Sequence, residues 1–106
     1  MTKSKDYFAI ILIGGGSSWG RAPDKETAIK NAVRSLRDWS VYYDVSNIEV
    51  TINVIDVTGY ASVDAAAGRP NWLHGTNEAT GNYEPIERPV EVIKRTTPKW
   101  RVKRRA

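Results

Sequence analysis

The sequence predicts an α+β fold: a mostly antiparallel sheet of four to five strands packed against one main helix, in the order β-β-α-β-β. Three observations carry this. A β-branched and aromatic run at residues 6–13 ends in glycines, a 3.6-residue apolar period follows it, and alternating segments lie at 48–58 and 90–95. At 106 residues the chain is read as a single domain, 1–106, large enough to bury a core unaided.

Residues 6–13 read as a buried strand because their apolar residues are continuous. Gly14-Gly15-Gly16 and the serines after them supply turn residues, and "SWGRA" (18–22) can return as a second strand to complete a hairpin. The helix follows. Ala28, Ile29, Ala32, Val33, Leu36 and Trp39 form one apolar face, Asp24 is placed to cap the start, and Glu26 lies beside the positive end of the helix dipole. Lys30, Arg34 and Arg37 share another face. Glu26 is spaced to pair with Lys30, so this stripe reads as a solvated surface.

In "IEVTINVIDVT" (48–58), Ile48, Val50, Ile52 and Val54 point one way and Glu49, Thr51 and Asn53 the other. The parity flips at Val54-Ile55, which predicts a bulge. "VEVIKR" (90–95) is a further strand, with Pro89 marking an edge or a strand start. "KWRVK" (99–103) alternates as well and reads as a short last strand, docked by Trp100 and displaying Lys99, Arg101 and Lys103. Residues 60–85 read as a long loop in which "SVDAAA" could form one helical turn. The loop carries Tyr60, Trp72, His74 and Tyr83, suited to covering a core, lining a pocket or meeting a second subunit.

Charge is unevenly placed. All 12 acidic residues lie at or before Glu91, whereas Lys94, Arg95, Lys99, Arg101, Lys103, Arg104 and Arg105 make residues 94–106 a basic C-terminal segment without an acid. Such a segment attracts polyanions. The absence of cysteine removes disulfides, thiolate nucleophiles and Cys-based metal sites, and fits a cytoplasmic protein. The apolar run at 7–13 is too short to span a bilayer, so no membrane partner is expected.

The glycines resemble a phosphate loop only in part. From Gly15, "GGSSWGRA" keeps the glycine spacing of G-x-x-x-x-G-K-[ST], but Arg21 and Ala22 replace the lysine and the magnesium-binding hydroxyl. Trp19 falls where the last glycine of a dinucleotide fingerprint belongs. The stretch reads as a hairpin turn, with Arg21 beside Trp19 able to hold an anion and a ring. His74 is the one histidine, and no motif links it to Ser17, Ser18, Asp56 or Asp64. The expectation is a non-enzyme with no catalytic residues, metal or cofactor.

Binding is better provided for. Trp19, Trp72, Tyr83 and Trp100 lie outside the obvious core face, and rings of this kind stack on bases while Arg and Lys take phosphates. The first forty residues, with "PDKETAIKNAVRSL" after a glycine turn, resemble the opening of HicB-type small α/β domains, which implies a related sheet-and-helix layout. In size and build the chain also resembles compact phage anti-defence proteins that sequester nucleotide signals, the anti-Thoeris sponges for cyclic ADP-ribose isomers. That resemblance implies ligand contacts from Trp72, Asn82, Arg101 and Arg105, with Arg21 near the glycine turn.

The expected function is therefore non-enzymatic capture of a phosphate-bearing nucleotide ligand, a sponge for a cyclic nucleotide or NAD-derived immune signal being one form of it. Trp72 or Trp100 would stack on the base and Arg101, Arg104 or Arg105 would clamp phosphate. The alternatives are a DNA/RNA-binding module using the basic C-terminus, and an inhibitor or antitoxin acting by protein–protein contact. Exposed strand edges and surplus aromatics add the expectation of a homo-oligomer.

Overall fold

A computed structural model describes residues 5–13, 16–38, 44–65 and 73–100. Strand β1 (Tyr7–Ile13) pairs antiparallel with β2 (Gly16–Ala22), helix α1 spans Lys25–Leu36, and β3 (Glu49–Asp56) returns beside β1. Then come β4 (Tyr60–Ala65), β5 (Leu73–Asn77) and β6 (Tyr83–Pro85), before β7 (Val90–Thr96) pairs with β3. The chain is α+β, with a four-stranded antiparallel sheet ordered β2-β1-β3-β7 and a three-stranded one ordered β4-β5-β6. No helix among the described residues is long and apolar enough to cross a membrane.

The first sheet is the expected β-β-α-β-β unit. Asp24 caps α1 as its position predicts: its carboxylate accepts from the Thr27 amide at 2.9 Å and the Thr27 hydroxyl at 2.9 Å. Those bonds, the amide first, hold the Asp24 carboxyl below its ordinary pKa. Ala28, Ile29, Ala32 and Leu36 are buried against Ala9, Ile11, Ile52 and Val54. Trp39, expected on the same face, lies outside the described residues. Pro89 does precede β7, and β7 is an edge strand.

Two expectations are overturned together. Residues 60–85 are not a loop: they hold β4, β5 and β6, and "SVDAAA" falls largely on β4 rather than on a helical turn. These strands are short, and β4 is interrupted by a register shift between Ala61 and Asp64, where Ser62 has φ 53°. That interruption erases the alternation a sequence reading depends on. Nor does β3 carry a bulge at Val54-Ile55, for its register with β1 and β7 runs unbroken. The parity changes because both faces are buried there. Val54 faces α1, while Ile55 joins Phe8, Ile10, Val57, Leu73 and Ile86 in a second core under the small sheet.

Helix and sheet meet most closely at Gly20. A Cβ at that position would lie 2.4 Å from the Ala28 carbonyl oxygen and 2.5 Å from the Ala32 nitrogen, both backbone atoms that cannot step aside. Ser18, two residues earlier on the same face and 2% exposed, donates its hydroxyl to the Ala32 carbonyl at 2.6 Å. Gly20→Ala is therefore expected to cost about 2 kcal/mol or more, since an overfilled contact must push the helix off the strand. Urea unfolding measures this directly, and a midpoint equal to the parent's would refute the contact.

The two layers are also joined through Asp56. Its carboxylate accepts from the Thr58 amide at 2.8 Å and from Arg88 at 3.2 Å, and lies 3.6 Å from Lys5. Burial raises its pKa, but the Thr58 hydrogen bonds and the charges of Lys5 and Arg88 outweigh burial and leave it below the ordinary value of 3.8. A carboxyl depressed on folding contributes stability above its unfolded pKa and loses it as pH falls through the folded value. Acid unfolding should accordingly show an Asp56-dependent loss beginning near pH 3.8 and continuing below it. Asp56→Asn should flatten that limb of the stability–pH curve, and an identical limb in both proteins would count against the assignment.

Candidate functional site

The sequence-predicted site residues do not converge on one place. Trp19 and Arg21 do come together, lining a depression of about 490 Å³ with Asn31, Ser35 and Asp38. Trp19 is 54% exposed and stacks on Phe8, ring centroids 5.4 Å apart. The guanidinium of Arg21 is committed to the fold, however. It donates through Nε and Nη2 to one Asp6 oxygen at 2.8 and 2.6 Å, and through Nη2 to the Tyr60 carbonyl, tying β2 to β4.

Asn82 sits elsewhere, at the turn between β5 and β6. Its carbonyl accepts from the Asn77 amide at 2.8 Å, and Gly81 beside it takes φ 76° to close the turn. Trp72, Arg101, Arg104 and Arg105 lie outside the described residues.

His74 and the aromatics of this region serve the small sheet. His74 stacks on Tyr83 at 5.6 Å, and Tyr83 donates its hydroxyl to Asp64 at 3.1 Å. Partial desolvation and that bond hold the Tyr83 hydroxyl above its ordinary pKa. Tyr60 packs on the second core and carries the Arg88 guanidinium 5.2 Å above its ring. Among the described residues no three His, Asp or Glu side chains gather as a metal site would need.

Trp100 marks the better-built site. It ends a segment that docks on residues 45–48 through a continuous set of hydrogen bonds. The Thr97 amide donates to the Ile48 carbonyl at 2.8 Å, and the Asn47 amide to the Pro98 carbonyl at 3.1 Å. The Trp100 amide itself donates to the Ser46 hydroxyl oxygen at 2.8 Å. The hydroxyl of Thr97, a residue 2% exposed, accepts from the Ile48 amide at 2.9 Å and donates to the Val45 carbonyl at 2.5 Å. Lys99 and Trp100 are not in a strand, and the remainder of the expected 99–103 strand lies outside the described residues. Trp100 is docked all the same, packing half-buried against the α1 core with Val33 and Ile93.

Beside Trp100 runs a groove of about 490 Å³ between one flank of α1 and the end of β7. Ile29, Val33 and Trp100 supply its apolar surface, and Lys30, Arg34, Arg37 and Arg95 supply cations. The expected Glu26–Lys30 pair is not made. Glu26 instead accepts from Arg95 at 3.1 Å, across the groove, because Arg95 projects toward α1 from the same face as Ile93. Lys30 loses that partner, and neither it nor Arg34 or Arg37 carries an ion pair among the described residues. Their spacing is plain in the sequence; that they wall a groove shared with Trp100 is not, because it depends on where α1 lies over the sheet.

No protein-family model, curated protein or solved structure matches this chain. The chemistry of the groove is what its residues can do: the helical stripe offers donors for anionic oxygens over about 10 Å of helix, at 1.5 Å per residue, next to an indole.

Replacing Thr97 by Val keeps the shape but strips the Ile48 amide and Val45 carbonyl of their partner. The expected cost is about 1–3 kcal/mol, with faster hydrogen exchange at the Ile48 amide. Parent-like exchange there would show that Thr97 does not hold the Trp100 segment.

Proposed function

We propose that this chain is a non-enzymatic protein that captures a phosphate-bearing nucleotide in the groove between α1 and β7. The observation that carries the reading is the gathering of Lys30, Arg34 and Arg37, without ion-pair partners among the described residues, along the groove that Trp100 lines. A base or another flat ring stacks on or beside Trp100 while guanidinium forks and the Lys30 ammonium take phosphate oxygens. Chain connectivity adds to this: Arg101, Arg104 and Arg105 follow Trp100 directly, within about 18 Å even fully extended. In this reading the basic C-terminal segment is a second source of charge for the same ligand. The nucleotide is recognised either free, as an immune-signal sponge requires, or as one unit of a strand, and the same contacts serve both.

Two measurements separate those sources. Binding of a labelled single-stranded oligonucleotide is followed by anisotropy across a salt series, and protein purified from cells is heated and filtered for mass spectrometry of the filtrate. Arg34→Ala with Arg37→Ala should weaken binding tenfold or more, at about 1.5–3 kcal/mol per charged hydrogen bond. For a strand, it should also flatten the log–log salt slope by about 0.7 for each phosphate no longer neutralised. Removing Arg101, Arg104 and Arg105 together should flatten it further, and an unchanged slope would exclude the tail. A stoichiometric nucleotide in the filtrate identifies the free form. Wild-type affinity in the double variant, with an empty filtrate, would reject the groove.

A further inference from the structure

The outer edge of β7 is free of any partner strand among the described residues, and its geometry can be worked out residue by residue. The Thr97 amide bonds to the Ile48 carbonyl, and β3 pairs with β7 without a register shift. Antiparallel ladders alternate every second residue, so Glu91, Ile93 and Arg95 bond toward β3. Val90, Val92, Lys94 and Thr96 consequently turn their amides and carbonyls outward. The Lys94 carbonyl accepts from its neighbour Arg95's guanidinium at 3.3 Å, as an oxygen outside the ladder can. Val92 on this edge is 61% exposed, and the seven-residue strand is long for an edge left uncovered.

We infer that this edge pairs with the same edge of a second copy, in a two-fold antiparallel arrangement centred on Ile93. Antiparallel partners share a sheet face, so a dyad normal to the sheet at Ile93 sets residue 91 opposite 95 and residue 92 opposite 94. Glu91 of each chain then faces Arg95 of the other, twice, in the closely spaced non-hydrogen-bonded positions. Val92 lies against the aliphatic stem of Lys94. Val90 with Thr96 and Val92 with Lys94 form the hydrogen-bonded pairs, about eight backbone bonds in all. The charge order along β7, acid at 91 and base at 95, is complementary to itself in this register. The edge of β2 offers no such match, because Gly16–Ala22 carries one base, Arg21, and no acid. The product is an eight-stranded sheet, with both α1 helices and both Trp100 grooves on one face, flanking the dyad.

The inference shares Arg95 with the groove but is read by oligomeric state rather than by ligand binding, and its test uses charge reversal. Wild-type protein should sediment as a dimer at micromolar concentration. Glu91→Arg sets arginine against arginine, Arg95→Glu sets glutamate against glutamate, and each variant should sediment as a monomer. Both remain folded, because the pairs they forgo within the chain, Lys25–Glu91 and Glu26–Arg95, are exposed. Mixed in equal amounts, the two variants are complementary again: the two arginines of one edge meet the two glutamates of the other. A heterodimer should then form, and native mass spectrometry should show one chain of each. A monomeric wild type, variants that stay dimeric, or a mixture that stays monomeric would each overturn the proposal.

Discussion

The backbone-to-backbone approach of α1 to β2 at Gly20 sets the position of much else. Because nothing projects from Gly20, the helix settles with the Ala28 carbonyl and the Ala32 amide almost on the strand, and Ser18 fastens it by a bond to Ala32. A helix seated there lies over β2 and β1 and meets β3 only along its flank, through Ile52 and Val54. The half of the sheet formed by β3 and β7 is left to other side chains on that face, and Trp100 fills part of it. The groove is the space that remains. The glycine that looks in the sequence like part of a phosphate loop thus serves packing, and its effect on ligand chemistry is indirect: it decides which flank of α1 stays open.

Much of this architecture is legible in the residues. The Asp24 cap, the apolar period of α1, the hairpin of β1 and β2, and the edge position of β7 after Pro89 each follow from a local rule, and local rules survive folding. The small sheet does not follow from one. Its strands are three to six residues long, too short for alternation to register, and β4 breaks its own pattern at Ser62. The same hidden layer explains the parity of β3. Ile55 looks out of phase only if one face of the strand is assumed to meet water, and the second core removes that assumption.

The candidate site divides along similar lines. Each cationic residue is visible in the sequence, but whether it is available is a tertiary fact. Arg21 reads as free beside an exposed ring and is instead consumed by Asp6 and the Tyr60 carbonyl. Lys30 reads as paired with Glu26 and instead has no ion pair among the described residues, because Glu26 turns across the groove to Arg95; Arg34 and Arg37 have none among those residues either. Trp19 and Trp100 show a matching contrast. Trp19 lies on the face turned away from α1, next to a committed arginine, whereas Trp100 is anchored through its amide and edges a groove whose Lys30, Arg34 and Arg37 carry no ion pair among the described residues.

The Glu26–Arg95 pair gives that groove its character. Both side chains are substantially exposed, 66% and 44%, so the pair contributes little to stability and is readily exchanged. In the proposed reading a phosphate would meet Lys30, Arg34 and Arg37, none ion-paired among the described residues, and would compete with one solvated carboxylate for Arg95 on β7. Surrendering that carboxylate to water costs less than breaking the half-buried Arg21–Asp6 pair would, because parting those two leaves each charge desolvated without its partner. The exposed pair therefore holds Arg95 toward the groove while leaving its guanidinium readily exchanged. The more buried pair fixes Arg21 where an anion cannot readily recruit it. Two arginine–carboxylate contacts thus have opposite consequences, and burial is what separates them.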